Sequence, residues 1–243
     1  MSEHAEEPVT LIIAAAGLGT RLNSELPKGL TKFKNSNFLA LLLEKTSHVF
    51  DEVIVVCNEK QWSEFNAYKA STKGKWKLCH QNGGKGSFYA VRSGTAIARN
   101  RRVVVCWVDQ VGLDSQIFSK TKNNIIGRDL AFPVVYKSKP YVQAIIESGK
   151  LQSWKFTREN DQTSDGYSDC GIFGINKESL EKFITNCPEI SLYQSPITNE
   201  INFLSILPDF QKNQSSRIWE EDNQAYVLAV NTLEELEQAE KLL

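Results

Sequence analysis

One stretch near the start constrains this chain more than any other. Val9–Ala15 is an almost unbroken apolar run, the pattern of a strand buried on both faces of a parallel sheet. It stops at Gly17. Gly17-Leu18-Gly19-Thr20-Arg21 follows, and Leu26-Pro27-Lys28 closes the turn. A buried strand ending in such a loop brings backbone N–H groups and two cations, Arg21 and Lys28, to one place. Glycine lets backbone amides approach an anion closely, and the cations add charge. The predicted ligand is a polyphosphate, held on a layered α/β fold.

The bulk properties remove several alternatives. The chain has 243 residues, enough for one large α/β domain with a substantial core. Its formal net charge is −1, so no global basic field invites nucleic acid or an anionic membrane surface. Phosphate affinity must then be local. No apolar run reaches the roughly 18 residues that a membrane span needs. Residues 1–8 are acidic and polar, unlike a signal peptide, and read as a frayed lead-in to the first strand. A cytoplasmic location is expected. Cys57, Cys79, Cys106, Cys170 and Cys187 contain no C-x-x-C pair, and all but Cys187 fall in or beside expected strands. They read as reduced, small hydrophobes. His4, His48 and His80 are scattered along the chain.

The first half alternates strand and helix. Strands are expected at Val9–Ala15, Glu52–Cys57, Trp76–His80 and Arg102–Trp107. Helices are expected at Phe38–Val49, Lys60–Ala70 and Ser87–Arg99, the last with Ala90, Val91, Thr95 and Ile97 inward. This alternation argues a parallel sheet with right-handed crossovers. After about Gly112 the pattern changes. Ala131–Tyr136, Tyr141–Glu147 and Leu151–Thr157 read as strands, with a hairpin turn at Ser148-Gly149-Lys150. Tyr167–Ile175 and Ala225–Val230 read as further strands. Leu180–Thr185 and Ile197–Leu207 read as helices, the second ended by Pro208. Thr232–Leu243 is an amphipathic final helix with a capping pattern. Glu159–Gly166 is a polar loop. No linker divides the chain, so a single domain is expected, with 1–112 and 113–243 as its two halves.

Three classes of protein place a glycine-rich turn after a strand. A dinucleotide fold wants G-x-G-x-x-G, but Leu22 stands at the third glycine position. A P-loop wants Gly-Lys-Ser/Thr, which occurs nowhere in the chain; Gly83-Gly84-Lys85-Gly86-Ser87 has the wrong order. Ala-Gly-x-Gly-Thr-Arg followed by Pro-Lys resembles the nucleotidyltransferase (NDP-sugar pyrophosphorylase-like) family. The resemblance is closest to N-acetylglucosamine-1-phosphate uridylyltransferase and methylerythritol-phosphate cytidylyltransferase domains. It implies a Rossmann-like, three-layer α/β fold with a mixed, mainly parallel central sheet.

The resemblance extends through the chain in family order. Gln81, with Gly86 and Ser87 five and six residues on, matches the pair that contacts a pyrimidine base in such enzymes; an ordinary loop amide is the rival reading. Asp109 ends a strand where the family binds magnesium, although Val108-Asp109-Gln110-Val111-Gly112 replaces the usual Gly-Asp-x-Pro-Leu. Its rival role is a cap for the next helix. Val230-Asn231-Thr232 resembles the family's closing motif, in which Asn231 would supply a second metal oxygen; a plain helix-start residue is the alternative. Tyr167–Phe173 resembles the acceptor-contacting strand, with Asp169 where asparagine is common and Gly171 retained. No glutamate stands on Leu151–Thr157 where the uridylyltransferases use one to contact the sugar, and Lys155 is the candidate there.

The resemblance therefore implies a magnesium-dependent enzyme with a pyrimidine nucleoside triphosphate and a small phosphorylated acceptor as its substrates. Arg21 and Lys28 would be catalytic. The nucleotide would lie on Ala14, Ala15, Ala16, Gly17, Gly19, Thr20, Gln81, Gly86 and Ser87. Mg²⁺ would lie on Asp109 and Asn231, and the acceptor on Lys155, Asp169 and Gly171. Lys137, Lys139, Gln143 and Arg158 are further acceptor candidates. UTP and CTP both remain open, as do a sugar 1-phosphate, an alditol phosphate and phosphocholine. A homo-oligomer is compatible with the sequence. Two other classes stand beside this reading. A GT-A-like glycosyltransferase would want Asp-x-Asp at the metal, which Val108-Asp109-Gln110 lacks. A catalytically inactive nucleotide-binding protein would bind triphosphate without releasing pyrophosphate.

Overall fold

The computed structural model describes residues 7–22, 24–187 and 189–243; the lead-in at 1–6 lies outside them. In chain order, β1 (Val9–Ala14) is followed by the short β2 (Lys32–Phe33) and β3 (Ser36–Asn37), then α1 (Phe38–Thr46) and β4 (Glu52–Cys57). Next come α2 (Trp62–Thr72), β5 (Lys77–His80), α3 (Ser87–Ile97) and β6 (Arg102–Trp107). The second half holds α4 (Ser115–Ile125), β7 (Leu130–Lys137), β8 (Val142–Glu147), β9 (Lys150–Phe156), β10 (Gly166–Asp169) and β11 (Ile172–Asn176). It ends with α5 (Lys177–Asn186), α6 (Phe203–Gln211), β12 (Ser216–Glu220) and α7 (Leu233–Leu242).

The central sheet runs β5-β4-β1-β6-β11-β7-β10-β8-β9, with β12 beside β7. β5, β4, β1 and β6 are mutually parallel. Following the pairings outward, β7, β8 and β12 run the same way, while β9, β10 and β11 run against them. Among the described residues the sheet is thus mixed and mainly parallel. The period-2 alternation of its strands feeds two cores. Leu11, Ile13, Val55 and Cys106 pack with Leu42 of α1, Phe65 of α2 and Phe118 of α4. Ile12, Val56, Val105 and Phe173 pack with Phe88 of α3 and Phe203, Leu207 and Phe210 of α6. Helices therefore cover both faces, giving three layers in a single domain. Each fully buried aliphatic or aromatic side chain contributes about 1.5–3 kcal/mol. No cysteine is disulfide-bonded, and burial pushes the Cys57, Cys106 and Cys170 thiols up, so they stay protonated near neutral pH. At the end of the sheet remote from the ligand crevice, Glu52 accepts hydrogen bonds from Thr10 Oγ1, Lys77 Nζ and the Arg99 amide. Burial raises its carboxyl, but these donors outweigh it and hold the group down to about 2.

Five details depart from the sequence-based expectation. Ser115–Ile125 is a helix, capped by the Asp114 carboxylate, which accepts from the Gln116 and Ile117 amides. The expected strand Tyr167–Ile175 is broken into β10 and β11 at Gly171, which takes φ +66°. The helix expected at Ile197–Leu207 begins only at Phe203, and Pro208 lies inside it rather than ending it. Burial of Phe203, Leu204, Ile206, Leu207 and Phe210 outweighs the rung that proline removes. Ala225–Val230 is not a strand: Gln224–Val227 is a 3-10 turn, Ala229 makes one bridge to Gln110, and the strand of that region is β12. Finally, Ile97 is 42% exposed rather than inward, because the core face of α3 runs through Val91, Gly94 and Thr95.

Candidate active site

The chain leaves β1 over α1 to β4, passes over α2 to β5, and returns over α3 on the opposite face to β6. The order of the parallel strands therefore reverses between β1 and β6. The crevice beyond the strand C-termini at such a switch point is where open α/β sheets bind ligands. A cavity of about 720 Å³ opens there. Ala14, Ala16 and Gly17 line it from β1, Asn58 from β4, Gln81 from β5, and Trp107, Val108 and Asp109 from β6.

At its foot, Lys28 is 9% exposed. Its Nζ donates to the Asp109 carboxylate and, at 2.9 Å, to Asn231 Oδ1. Arg21 is exposed, and its Nη2 donates to the same Asn231 oxygen at 3.3 Å. The local fold explains each position. Gly19 takes φ +67°, and a Cβ there would stand 3.0 Å from Lys28 Cβ, so glycine is what lets the loop close over the lysine. Asp109 is free of capping duty, because Asp114 caps α4. Asn231 is likewise free, because Thr232 is the N-cap of α7 in a capping box with Glu235. Glu235 also accepts from the Asn231 amide at 2.6 Å, and the Val230 amide donates to Asp109 O at 3.1 Å. Asn231 is thereby fixed beside Asp109.

Gln81, Gly86 and Ser87 line another wall of the cavity. Gln81 Nε2 donates to Gly84 O at 2.7 Å and folds the loop on itself. Gly86 has φ +106°. The Ser87 hydroxyl donates to Asn202 Oδ1 and accepts from the Phe203 amide, both at 2.9 Å, tying the start of α3 to the start of α6. Its first role is structural. Ala15 is buried behind the cavity, its amide donating to Val56 O at 2.8 Å. The side chain of Thr20 lies outside the described residues.

The opposite wall carries Lys137, Tyr141, Val142, Arg158, Ser168, Asp169 and Glu200. Lys155 does not line the cavity. It is exposed on β9, because its neighbours Trp154 and Phe156 take the core-facing positions. Gly171 sits behind the wall, where a Cβ would stand 2.3 Å from Gln110 Nε2. Asp169 Oδ1 accepts from the Gly171 amide at 2.8 Å. Burial, aided by the charge of Asp109, outweighs that bond and pushes the Asp169 carboxyl up to about 6.

The MobA-like NTP transferase domain family matches residues 11–164. The chain belongs to that family. The bifunctional protein GlmU of Helicobacter pylori (strain ATCC 700392 / 26695) is 26% identical over 188 residues, 72% of this chain and 42% of the GlmU chain. GlmU of Gluconobacter oxydans (strain 621H) is 49% identical over 47 residues, 19% of this chain and 11% of GlmU. This NTP transferase domain thus spans less than half the length of the curated relatives it matches. Two solved structures share its fold. A Bacillus anthracis chain described as a glucose-1-phosphate thymidylyltransferase superposes with TM-score 0.78 at 15% identity, over 96% of this chain and 94% of that one. The 4-diphosphocytidyl-2C-methyl-D-erythritol synthase of Anaerococcus prevotii gives TM-score 0.66 at 14% identity, over 98% of both. At these identities the likeness is one of fold.

Asn202 and Glu200 are among the lining residues of this NTP transferase domain that escaped the sequence reading. Both lie in what reads as helix but folds as the loop before α6. Only the N-cap preference of Asn202 could have signalled that boundary. The raised Asp169 carboxyl has a stability consequence. An aspartate with an ordinary value of 3.8 that rises to about 6 on folding costs nothing below about pH 4. Stability is lost as pH climbs between those values, and the full cost is present above them. Asp169→Asn is therefore expected to gain about 1–3 kcal/mol at pH 8, by urea denaturation, and nothing at pH 4. An equal gain at both pH values would contradict this.

Proposed function

We propose that the domain transfers a nucleoside monophosphate from UTP or CTP to a small phosphorylated acceptor, a sugar 1-phosphate foremost, and releases pyrophosphate. The observation that carries this reading is the meeting of Lys28, Asp109 and Asn231 at the mouth of the glycine loop. In this reading 1–112 is the nucleotide-binding half and 113–243 the acceptor-binding half.

The acceptor phosphate would attack the α-phosphorus in line, its oxygen bonding to phosphorus as the bond to the α–β bridging oxygen breaks. Two anions must approach, so the main task is charge neutralisation and positioning. Arg21 and the amides of Gly17–Thr20 hold the outgoing phosphates. Lys28 stabilises charge that develops on the α-phosphate. Ala14 and Ala16 backbone, with Gln81 and Gly86, receive the base. A phosphate nucleophile is ionised at neutral pH, so no general base is needed.

A divalent cation fits the same place. Among the described residues no three His, Cys, Asp or Glu side chains cluster as metal ligands. The carboxylate of Asp109 and the amide oxygen of Asn231, however, already converge on one cationic atom, Lys28 Nζ. Two hard oxygens completed by phosphate and water suit Mg²⁺, which would supply further charge neutralisation between the two substrates. Pyrophosphate release from each of four NTPs with Mg²⁺ and a panel of phosphorylated acceptors tests the reading. UTP or CTP is expected to support release. Equal rates with ATP and GTP would overturn the pyrimidine preference, and no release with any pair would overturn transfer.

A further inference from the structure

Arg158 is a cation of the cavity with no established task. It stands on the tight turn Thr157–Glu159 that follows β9. The turn is well braced: the Thr157 amide donates to Tyr141 O at 3.1 Å, and Asp161 accepts from the Phe156 amide at 2.7 Å. The guanidinium carbon lies 5.5 Å from the centre of the Phe156 ring. Its Nε and Nη2 are buried and have no hydrogen-bond partner. The Glu159 carboxylate stands 3.8 Å from Nε, close enough to balance charge but beyond hydrogen-bond reach. Buried donors left unpaired are costly, and a planar guanidinium matches a carboxylate or phosphate. Lys137, at the end of β7, lines the same wall.

The topology separates this cation from the transfer centre. Asp169, at the end of β10, feels the charge of Asp109. β8 lies beside β10 and β9 beside β8, so β9 stands about 10 Å further out at about 4.8 Å per strand. An attacking phosphate must come within about 3–3.5 Å of the α-phosphorus. In the transfer reading that phosphate belongs beside Lys28, while Arg158 lines the same cavity from the outer strands.

We propose that Arg158 binds a second anionic group of the acceptor, a carboxylate or phosphate at the end remote from the phosphate that attacks. The inference rests on the transfer reading above and names its acceptor class: a molecule anionic at both ends. Calorimetric titration of the nucleotide-free protein tests it with three probes, glucose 1-phosphate, glucose 1,6-bisphosphate and glucuronic acid 1-phosphate. At least one doubly anionic probe is expected to bind tenfold or more tighter than glucose 1-phosphate, and which one distinguishes phosphate from carboxylate. In Arg158→Gln the preference should fall to within twofold, with glucose 1-phosphate losing far less affinity than the doubly anionic probes. Arg158→Lys should keep part of the preference, and serves alone if the glutamine variant does not fold. Equal or absent binding of the probes by the wild-type protein would overturn the proposal. So would a preference that survives in Arg158→Gln, or an equal loss for all three probes, which would place Arg158 on the attacking phosphate or in a structural role. These readouts need no turnover. Missing pyrophosphate release with a retained probe preference would instead fault the transfer reading.

Discussion

Lys28→Ala is expected to lower turnover by about 10²- to 10⁴-fold, on the order of 3–5 kcal/mol of transition-state stabilisation. The ammonium is nearly buried, so little solvent screens it, and it is held by two oxygens rather than swinging freely. The effect should fall on kcat more than on KM for the nucleotide, because in the proposed reading Arg21 and the loop amides would still hold the outer phosphates. A lysine that only paired Asp109 would behave differently: its loss would lower the melting temperature and leave the rate of folded protein intact. Steady-state pyrophosphate release, measured beside a thermal melt, separates the two. Near-wild-type kcat in the folded variant would remove Lys28 from the chemistry.

The second large effect is expected at Gly112, three residues beyond Asp109. A Cβ placed there would stand 1.7 Å from Ala225 O and 2.6 Å from its carbonyl carbon. Neither neighbour is a flexible side-chain tip, so the backbone of the turn Gln224–Val227 has to move. Gly112→Ala should cost about 3 kcal/mol or more in urea denaturation, at the upper end of overpacking. It should also impair activity in the fraction that stays folded. The turn leads into Ala229, which bridges Gln110, and then into Asn231. Unchanged stability would mean that the turn is not pinned as described.

Gly112 also shows what the sequence could reveal. The departure from the family's proline-containing loop was visible at Val108–Gly112, but not its cause. The glycine faces a turn more than a hundred residues later, and no local pattern encodes such a meeting. What was legible was local chemistry with a strong period. β4 and β6 were read at their observed boundaries, and the capping pattern of α7 was correct, because apolar runs and cap residues act over a few positions. α4 was missed because most of its eleven residues are polar, and only Ile117, Phe118, Thr121, Asn124 and Ile125 are buried. Pro208 misled because its missing hydrogen bond is outweighed by the aromatic and aliphatic face it shares. Within the site, Lys28, Asp109 and Asn231 were each named from sequence and meet in space. Lys155 was placed by strand position, and the alternation of β9 turns it away from the cavity. Arg158 was one name among several, because an unpaired buried donor exists only once a cavity does.

Lys28 and Asn231 are separated by 203 positions, yet share one hydrogen bond. During synthesis the glycine loop and the strand carrying it emerge well before their partner amide at the start of α7. A nascent chain can thus fold the strands and helices around Lys28 before Asn231 is made. The cluster of Lys28, Asp109 and Asn231 closes only when α7 docks and Glu235 fixes the residue before its cap.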